Sequence, residues 1–274
     1  MKLIVKELWT FPVKSMGGIS MSQAKALKAG FEYDRRWMLL DHENKFITQR
    51  QVPELALFKT SIGDGQLTLT YRRESYHIGL EEHTSEKINT KVWDDDASTM
   101  TVSPMVDEWL SDALKMKVRL VKICNDQSRI HHNKNHDIHI PVSLADGYPY
   151  LVAGTASLDL LNSKLDAPIQ MSRFRPNIVV DTTEAHEEDT WIECKAGTAE
   201  FLNMKPCGRC TMITIDQNTA HINNEPLKIL NQYRKSQNSV LFGTNMMCTK
   251  EGLVTVGDET IVLGTSRVDP DSKK

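Results

Sequence analysis

The sequence predicts an α+β fold that is mostly β, with short strands curled into barrels and a few helices. Two observations carry this. Short apolar or alternating segments of 5–8 residues recur through residues 1–100, punctuated by Gly17-Gly18, Gly30, Asp41–Asn44 and Gly63-Asp-Gly65. Helical periodicity surfaces only near residues 103–116, 155–165 and 226–233. Many short strands at such spacing suit a barrel or strongly curled sheet.

In chain order, Leu3–Trp9, Gln23–Leu27, Trp37–Asp41, Leu55–Ile62 and Leu67–Tyr71 read as strands. Ser103 is placed as an N-cap and Pro104 suits the first helical turn, while Val106, Trp109, Leu110 and Leu114 repeat with helical period. A strand at Val118–Ile123 follows. From Cys124 to Ile140 periodicity is lost, and His131, His132, His136 and His139 sit among Arg, Lys and Asn. Such a cluster could bind a metal, but the spacing fits no helix face, and the expectation is a polar loop.

Tyr150–Val152 predicts a strand and Thr155–Leu165 a helix. Met171–Asp181 reads as a strand entered through two arginines and a proline, and Trp191–Glu193, Thr198–Leu202 and Thr211–Ile215 continue in β fashion. A helix over Pro226–Tyr233 and strands at Val240–Cys248, Leu253–Val256 and Thr260–Leu263 close the fold, ahead of a polar tail at 269–274. The organisation expected is a first β-barrel region over 1–120, a second domain over 121–268, and the tail.

The 274 residues are 40% hydrophobic and 25% charged, ordinary for a soluble globular chain. A net charge of −3 carries no footprint for nucleic acid or an anionic membrane. No apolar run reaches the roughly 18–20 residues a helix needs to span a bilayer, and the N-terminus lacks a signal-peptide core. Five scattered cysteines describe no disulfide scaffold, so a reducing cytoplasm is expected.

The chemistry concentrates at Met204-Lys-Pro-Cys-Gly-Arg-Cys-Thr-Met-Ile-Thr-Ile-Asp216, where Cys207 and Cys210 sit on an expected Pro/Gly turn. Arg209 lies between them and Lys205 two residues before the first. Nearby cations favour a thiolate, the form that ligates metal or attacks a substrate. Half a zinc site, a redox pair and two unrelated thiols all remain open from this spacing alone, including a zinc site completed by histidines of the 131–139 segment.

Four basic stretches stand near strand ends: Pro12-Val-Lys-Ser-Met16, Tyr33-Asp-Arg-Arg-Trp37, Thr48-Gln-Arg-Gln51 and Arg173-Phe-Arg-Pro-Asn177. Strand-end loops collect binding groups, and guanidinium forks suit phosphate oxygens. The competing reading is salt bridging on the surface, which Asp34 beside Arg35 invites. Taken with the cysteines, the stretches suggest an anionic-cofactor pocket beside a thiolate.

Pro12-Val-Lys-Ser, Asp34-Arg-Arg-Trp, Thr48-Gln-Arg-Gln, Asp146-Gly-Tyr-Pro-Tyr, Phe174-Arg-Pro-Asn and Lys205-Pro-Cys-Gly-Arg-Cys occur in an order and spacing that resembles the MOSC-domain family, nearest its amidoxime-reducing members. The resemblance covers nearly the whole chain. It implies an N-terminal β-barrel region, a MOSC β-barrel domain, and a molybdopterin-type molybdenum cofactor between them. By the same resemblance Cys210 is the molybdenum ligand and Cys207 is not. Lys14, Ser15, Arg35, Arg175 and Asn177 are implied contacts to the pterin and its phosphate, with Gly208 and Arg209 cradling the cofactor. Gly147 and Tyr148 align with a polar pair of different residue types in some relatives. The implied reaction is two-electron reduction of N-hydroxylated substrates such as amidoximes, hydroxylamines or N-hydroxylated bases, the oxygen leaving as water. Arg209 and Lys205 would help keep Cys210 deprotonated. No cluster of four cysteines for an iron–sulfur centre is present, so electrons are expected from a separate flavin reductase, ferredoxin or cytochrome-type protein. A non-catalytic cofactor carrier or sulfur-transfer module is the rival expectation.

Overall fold

The structure, a computed structural model, describes residues 2–123, 129–133 and 137–266. Seven strands close into a barrel: β1 (Leu3–Thr10), β2 (Tyr150–Gly154), β3 (Ile178–Asp181), β4 (Trp191–Ala196), β5 (Ala199–Arg209), β6 (Ser239–Lys250) and β7 (Glu259–Thr265). The hydrogen-bonded order is β2-β3-β1-β7-β4-β5-β6, and β6 pairs back onto β2. Only β2 and β3 run parallel. Closure leaves the barrel itself no free edge. It is filled by Val5, Leu8, Val152, Ile178, Val180, Trp191, Phe201 and Met246.

The strand ladders do not divide at residue 120. β1, from the chain's first ten residues, lies between β3 and β7, and Gln23–Leu27 pairs with Gly252–Thr255. Ile19–Met21 pairs with β1 and Gly30–Phe31 with Gln23–Leu27, while other N-terminal strands form a four-stranded sheet (Trp37–Leu40, Arg119–Ile123, Asp95–Thr101, Lys87–Val92) and a three-stranded one (Lys59–Gly63, Gln66–Tyr71, Glu74–Gly79). A separate core joins them around Trp37, Phe58, Leu67, Leu69, Val106 and Leu120.

Among the described residues three helices cover these layers: α1 (Pro104–Leu114), α2 (Thr155–Asn162) and α3 (Glu225–Tyr233). In α1, Pro104 does open the helix, but the Ser103 hydroxyl makes no cap bond, and Lys115 ends it in a left-handed conformation. Helices α2 and α3 pack on the barrel's outer wall over Leu161, Phe174, Ile213, Leu230 and Phe242.

Several local expectations are corrected. Thr211–Ile215 is not a strand: Thr211–Thr214 forms a 3-10 turn, in which the Thr214 hydroxyl donates to the Thr211 carbonyl at 2.7 Å and Ile213 drops into the core. The cysteine pair is not on a tight turn. Cys207 lies near the end of the 11-residue strand β5, whose ladder to β6 shifts register between Pro206 and Gly208, as a bulge tolerates these residues inside a strand. Pro53–Leu57 is a 3-10 turn ahead of its strand, and Met171–Phe174 is another, so β3 begins only at Ile178.

The histidine segment is not a loop where it is described: Arg129–Asn133 pairs antiparallel with Ile138–Val142, whose Ile140 and Val142 are buried. Alternation carried by two or three apolar residues is too short to register as a pattern. Cys124, His136 and the tail 269–274 lie outside the described residues.

Candidate functional site

A cavity of about 440 Å³ opens at one end of the barrel, within the ~300–1,000 Å³ range usual for ligand pockets. Each expected site residue lines it: Lys14, Ser15, Arg35, Gly147, Tyr148, Arg175, Asn177, Gly208, Arg209 and Cys210, together with Asp146, Lys205 and Cys207. They come from segments up to almost 200 residues apart, gathered because β1, β2, β3 and β5 all bring an end to this rim.

Asn177 organises the rim. Its side-chain amide donates to the Trp9 carbonyl at 3.2 Å, while its Oδ1 accepts from the Leu151 N–H at 3.3 Å and from Arg35 Nη1 at 3.0 Å. One buried amide therefore ties the ends of β1, β2 and β3 and aims a guanidinium. Arg35 also donates to the Arg175 carbonyl and pairs with buried Asp34, so the salt-bridge reading of that residue holds beside its place in the cavity.

Ser15, Arg35 and Arg175 all have positive φ, at 68°, 49° and 55°. Side-chain-bearing residues avoid this region, and it concentrates where tertiary structure holds the backbone for a binding role. Phe11 explains part of that hold: its ring lies 4.4 Å from the Arg35 guanidinium and 4.2 Å from that of Arg175. Gly18 is required beneath it, since a Cβ there would stand 2.5 Å from the ring.

The charges are undercompensated. Arg175 is buried and donates to the Met16 carbonyl at 2.6 Å, with no carboxylate salt bridge among the described residues. Burial, aided by the Arg35 charge, lowers its pKa to about 9. Lys14 is also buried; burial pushes its ammonium down, against the pull of Asp146, with which it pairs while donating to the Leu144 carbonyl at 3.0 Å. Desolvation at the rim opposes the charge on Asp146, but Lys14 and the Trp93 indole outweigh it and hold the carboxyl below the usual range. Ser15 Oγ and Arg209 Nε are buried without a hydrogen-bond partner among the described residues. Unpaired buried donors beside crowded cations are costly alone and suit an anionic ligand bearing oxygen acceptors.

Arg209 corrects one electrostatic expectation. Its Nη1 donates to the sulfur of Cys207 at 3.1 Å and its Nη2 to the Phe174 carbonyl at 2.8 Å. Residues two apart on a strand share a face, which gives the guanidinium to Cys207. Cys210, just past the strand, is left exposed at the cavity. Lys205 lies over the Tyr148 ring instead.

Sequence reasoning missed Phe11, Gln49 and Arg129. Gln49 is buried within Thr48-Gln-Arg-Gln: it donates to the Ser15 carbonyl at 2.7 Å and exchanges amide hydrogen bonds with Gln217 at 3.1 and 3.0 Å, while Arg50 stays outside this cavity. The polar residue, not the charge, was that motif's signal. Arg129 has a fully buried side chain that pairs with Asp95 and donates to the carbonyls of Ser143, Ala145 and Asp146, fastening the cavity wall. His131 bonds Asp95 and His132 bonds Asp137, and among the described residues no group of three or more His, Cys, Asp or Glu could hold a metal ion.

Fold and site together define a β-barrel protein with a cation-lined cavity faced by an exposed thiol. Residues 2–117 match the MOSC N-terminal beta barrel domain and residues 139–260 the MOSC domain, and the chain belongs to this MOSC family. It is 31% identical to mitochondrial amidoxime reducing component 2 of Bos taurus, over 93% of this chain and 81% of that protein. Mitochondrial amidoxime-reducing component 1 of Mus musculus is 29% identical over 95% and 82%. Molybdenum cofactor sulfurase of Arabidopsis thaliana is 27% identical over 88% of this chain, but over only 32% of its own length.

Proposed function

We propose that this chain binds a molybdenum cofactor in the barrel-end cavity and reduces N-hydroxylated compounds such as amidoximes. The observation that carries the reading is the pairing of exposed Cys210 with a cavity whose buried cations and orphaned donors match an anionic, oxygen-rich group. The names of its relatives point the same way.

When bound, the cofactor supplies the two-electron redox couple. The protein's contribution is positioning and charge. Cys210 offers a soft thiolate as metal ligand. Arg175, Arg35 and Lys14 neutralise phosphate, Ser15 Oγ donates the hydrogen bond it lacks among the described residues, and Asn177 holds Arg35 at its working angle. Gly208 and Arg209 cradle the cofactor beside Cys210, and Gly147 and Tyr148 wall the cavity. Electrons come from a separate donor protein.

A cofactor carrier or sulfur-transfer module is the second reading, favoured by the sulfurase match across most of this chain. Protein made in a cofactor-producing host separates them. Near-stoichiometric molybdenum and pterin, with benzamidoxime turnover by a chemical or protein reductant, supports the reductase. Bound cofactor without turnover by any donor supports the carrier, and absence of molybdenum overturns both.

A further inference from the structure

A second cavity, of about 770 Å³, adjoins the first, and its lining residues were given no role above. Its walls include Phe46, Arg50 and Trp93, with Lys45 and Lys91 at its edge. The partition between the cavities is shared: Trp93 Nε1 donates to Asp146 Oδ1 at 3.0 Å, and Lys14 Nζ lies 5.3 Å from the Phe46 ring centre. Asp146 and Lys14 line the first cavity, so the two compartments contact each other through named side chains.

Trp93 is out of place by local rules. It occupies the first position of a two-residue hairpin turn closed by the Val92–Asp95 pair, with φ of 59°. Such a turn is made cheaply by Asn, Asp or Gly, whereas a bulky aromatic side chain there is an outlier. The indole is also 47% exposed, and its edge is set by Phe46 at 5.4 Å in a T-shaped contact. Arg50 lays its guanidinium 4.8 Å from the indole, and makes no hydrogen bond or salt bridge among the described residues. Strain, exposure and an unpaired cation thus coincide on one surface within a cavity.

We propose that Trp93, Phe46 and Arg50 form a second binding compartment for a flat aromatic ligand that carries an anionic group. The indole and phenyl rings supply the stacking surface, and Arg50, already aligned on the indole, supplies a fork for a carboxylate or phosphate oxygen. Two sources share this chemistry: the aryl end of a substrate whose N-hydroxyl group reaches the first cavity, which rests on the function proposed above, or a separate aromatic anion.

The test measures calorimetric and fluorescence binding of 4-carbamoylbenzoate, benzamide and acetate to the wild-type holoprotein, Trp93→Gly and Arg50→Gln. Glycine suits a positive φ and Arg50 is exposed, so both variants are expected to fold. The compartment predicts that the wild type binds 4-carbamoylbenzoate most tightly, that Trp93→Gly weakens it by about tenfold or more, and that Arg50→Gln erases the preference over benzamide. No binding by the wild type, or equal affinities in wild type and Trp93→Gly, overturns the proposal. Competitive inhibition of benzamidoxime turnover by the probe assigns the compartment to the substrate's ring; bound probe with unchanged KM assigns it to a separate ligand. Binding needs no turnover, so an inactive protein that still binds the probe refutes the reductase function and leaves the compartment standing.

Discussion

Arg209 donates a hydrogen bond to the sulfur of Cys207, 3.1 Å away, while Cys210 stands exposed at the cavity three residues further on. The two thiols of one short motif therefore have different environments. Cys207→Ala removes one partner of Arg209 but leaves its bond to the Phe174 carbonyl, so appreciable activity is expected to remain. Cys210→Ala is expected to lower activity and bound molybdenum by about 100-fold or more, since even residues behind the ligands typically cost 10–100-fold. Metal analysis beside benzamidoxime turnover checks both variants, and equal losses would refute the single-ligand assignment.

Arg175 is a buried cation of the cavity with no carboxylate salt bridge among the described residues. Arg175→Met removes the guanidinium while keeping an apolar stem against Phe11. Pterin content after dialysis is expected to fall by about tenfold or more, the scale of a lost charge-assisted hydrogen bond. The unfolding midpoint should hold or rise, because a buried charge is also relieved. Full pterin occupancy would remove Arg175 from the phosphate site.

Glu188 gives a pH signature. Burial, with Asp189 nearby, raises its pKa to about 7, although the Gly154 N–H and Ser157 hydroxyl donate to it. Its unfolded value is 4.5, so between about pH 4.5 and 7 the folded state holds a proton the unfolded state has released, and stability falls as pH rises. His186 acts oppositely: burial lowers its pKa to about 4 from 6.5, and its contribution rises through that interval. Glu188→Gln removes the first effect alone. The stability difference between the variant and wild type is expected to grow by roughly 3 kcal/mol from pH 4 to pH 8. A pH-independent difference in urea unfolding would show that Glu188 is charged in both states.

Barrel closure rests on Gly243. It has φ of 69°, and a Cβ there would stand 2.7 Å from the Val152 carbonyl, where β6 meets β2. Gly243→Ala is expected to cost about 1–3 kcal/mol in denaturant unfolding. A change under a few tenths would mean that β6 shifts without strain.

The β character and the three helices among the described residues were legible in the sequence because each depends on local signals, alternation and turn residues; the ten candidate residues were named by the motifs that carry the resemblance, and the fold brings them to one cavity. Propensity was a poorer guide at Thr211–Ile215, where burial of Ile213 against Phe174 and Phe242 overrode the β-branched run. Tertiary structure alone decided that the first strand closes the barrel built by the last, that Arg209 serves Cys207, and that Phe11, Gln49 and Arg129 hold the cavity's shape. The physical reason is separation along the chain. Arg129 fastens a wall 14–17 residues away, and Gln49 reaches Gln217 across 168, so neither contact leaves a period or a spacing to read.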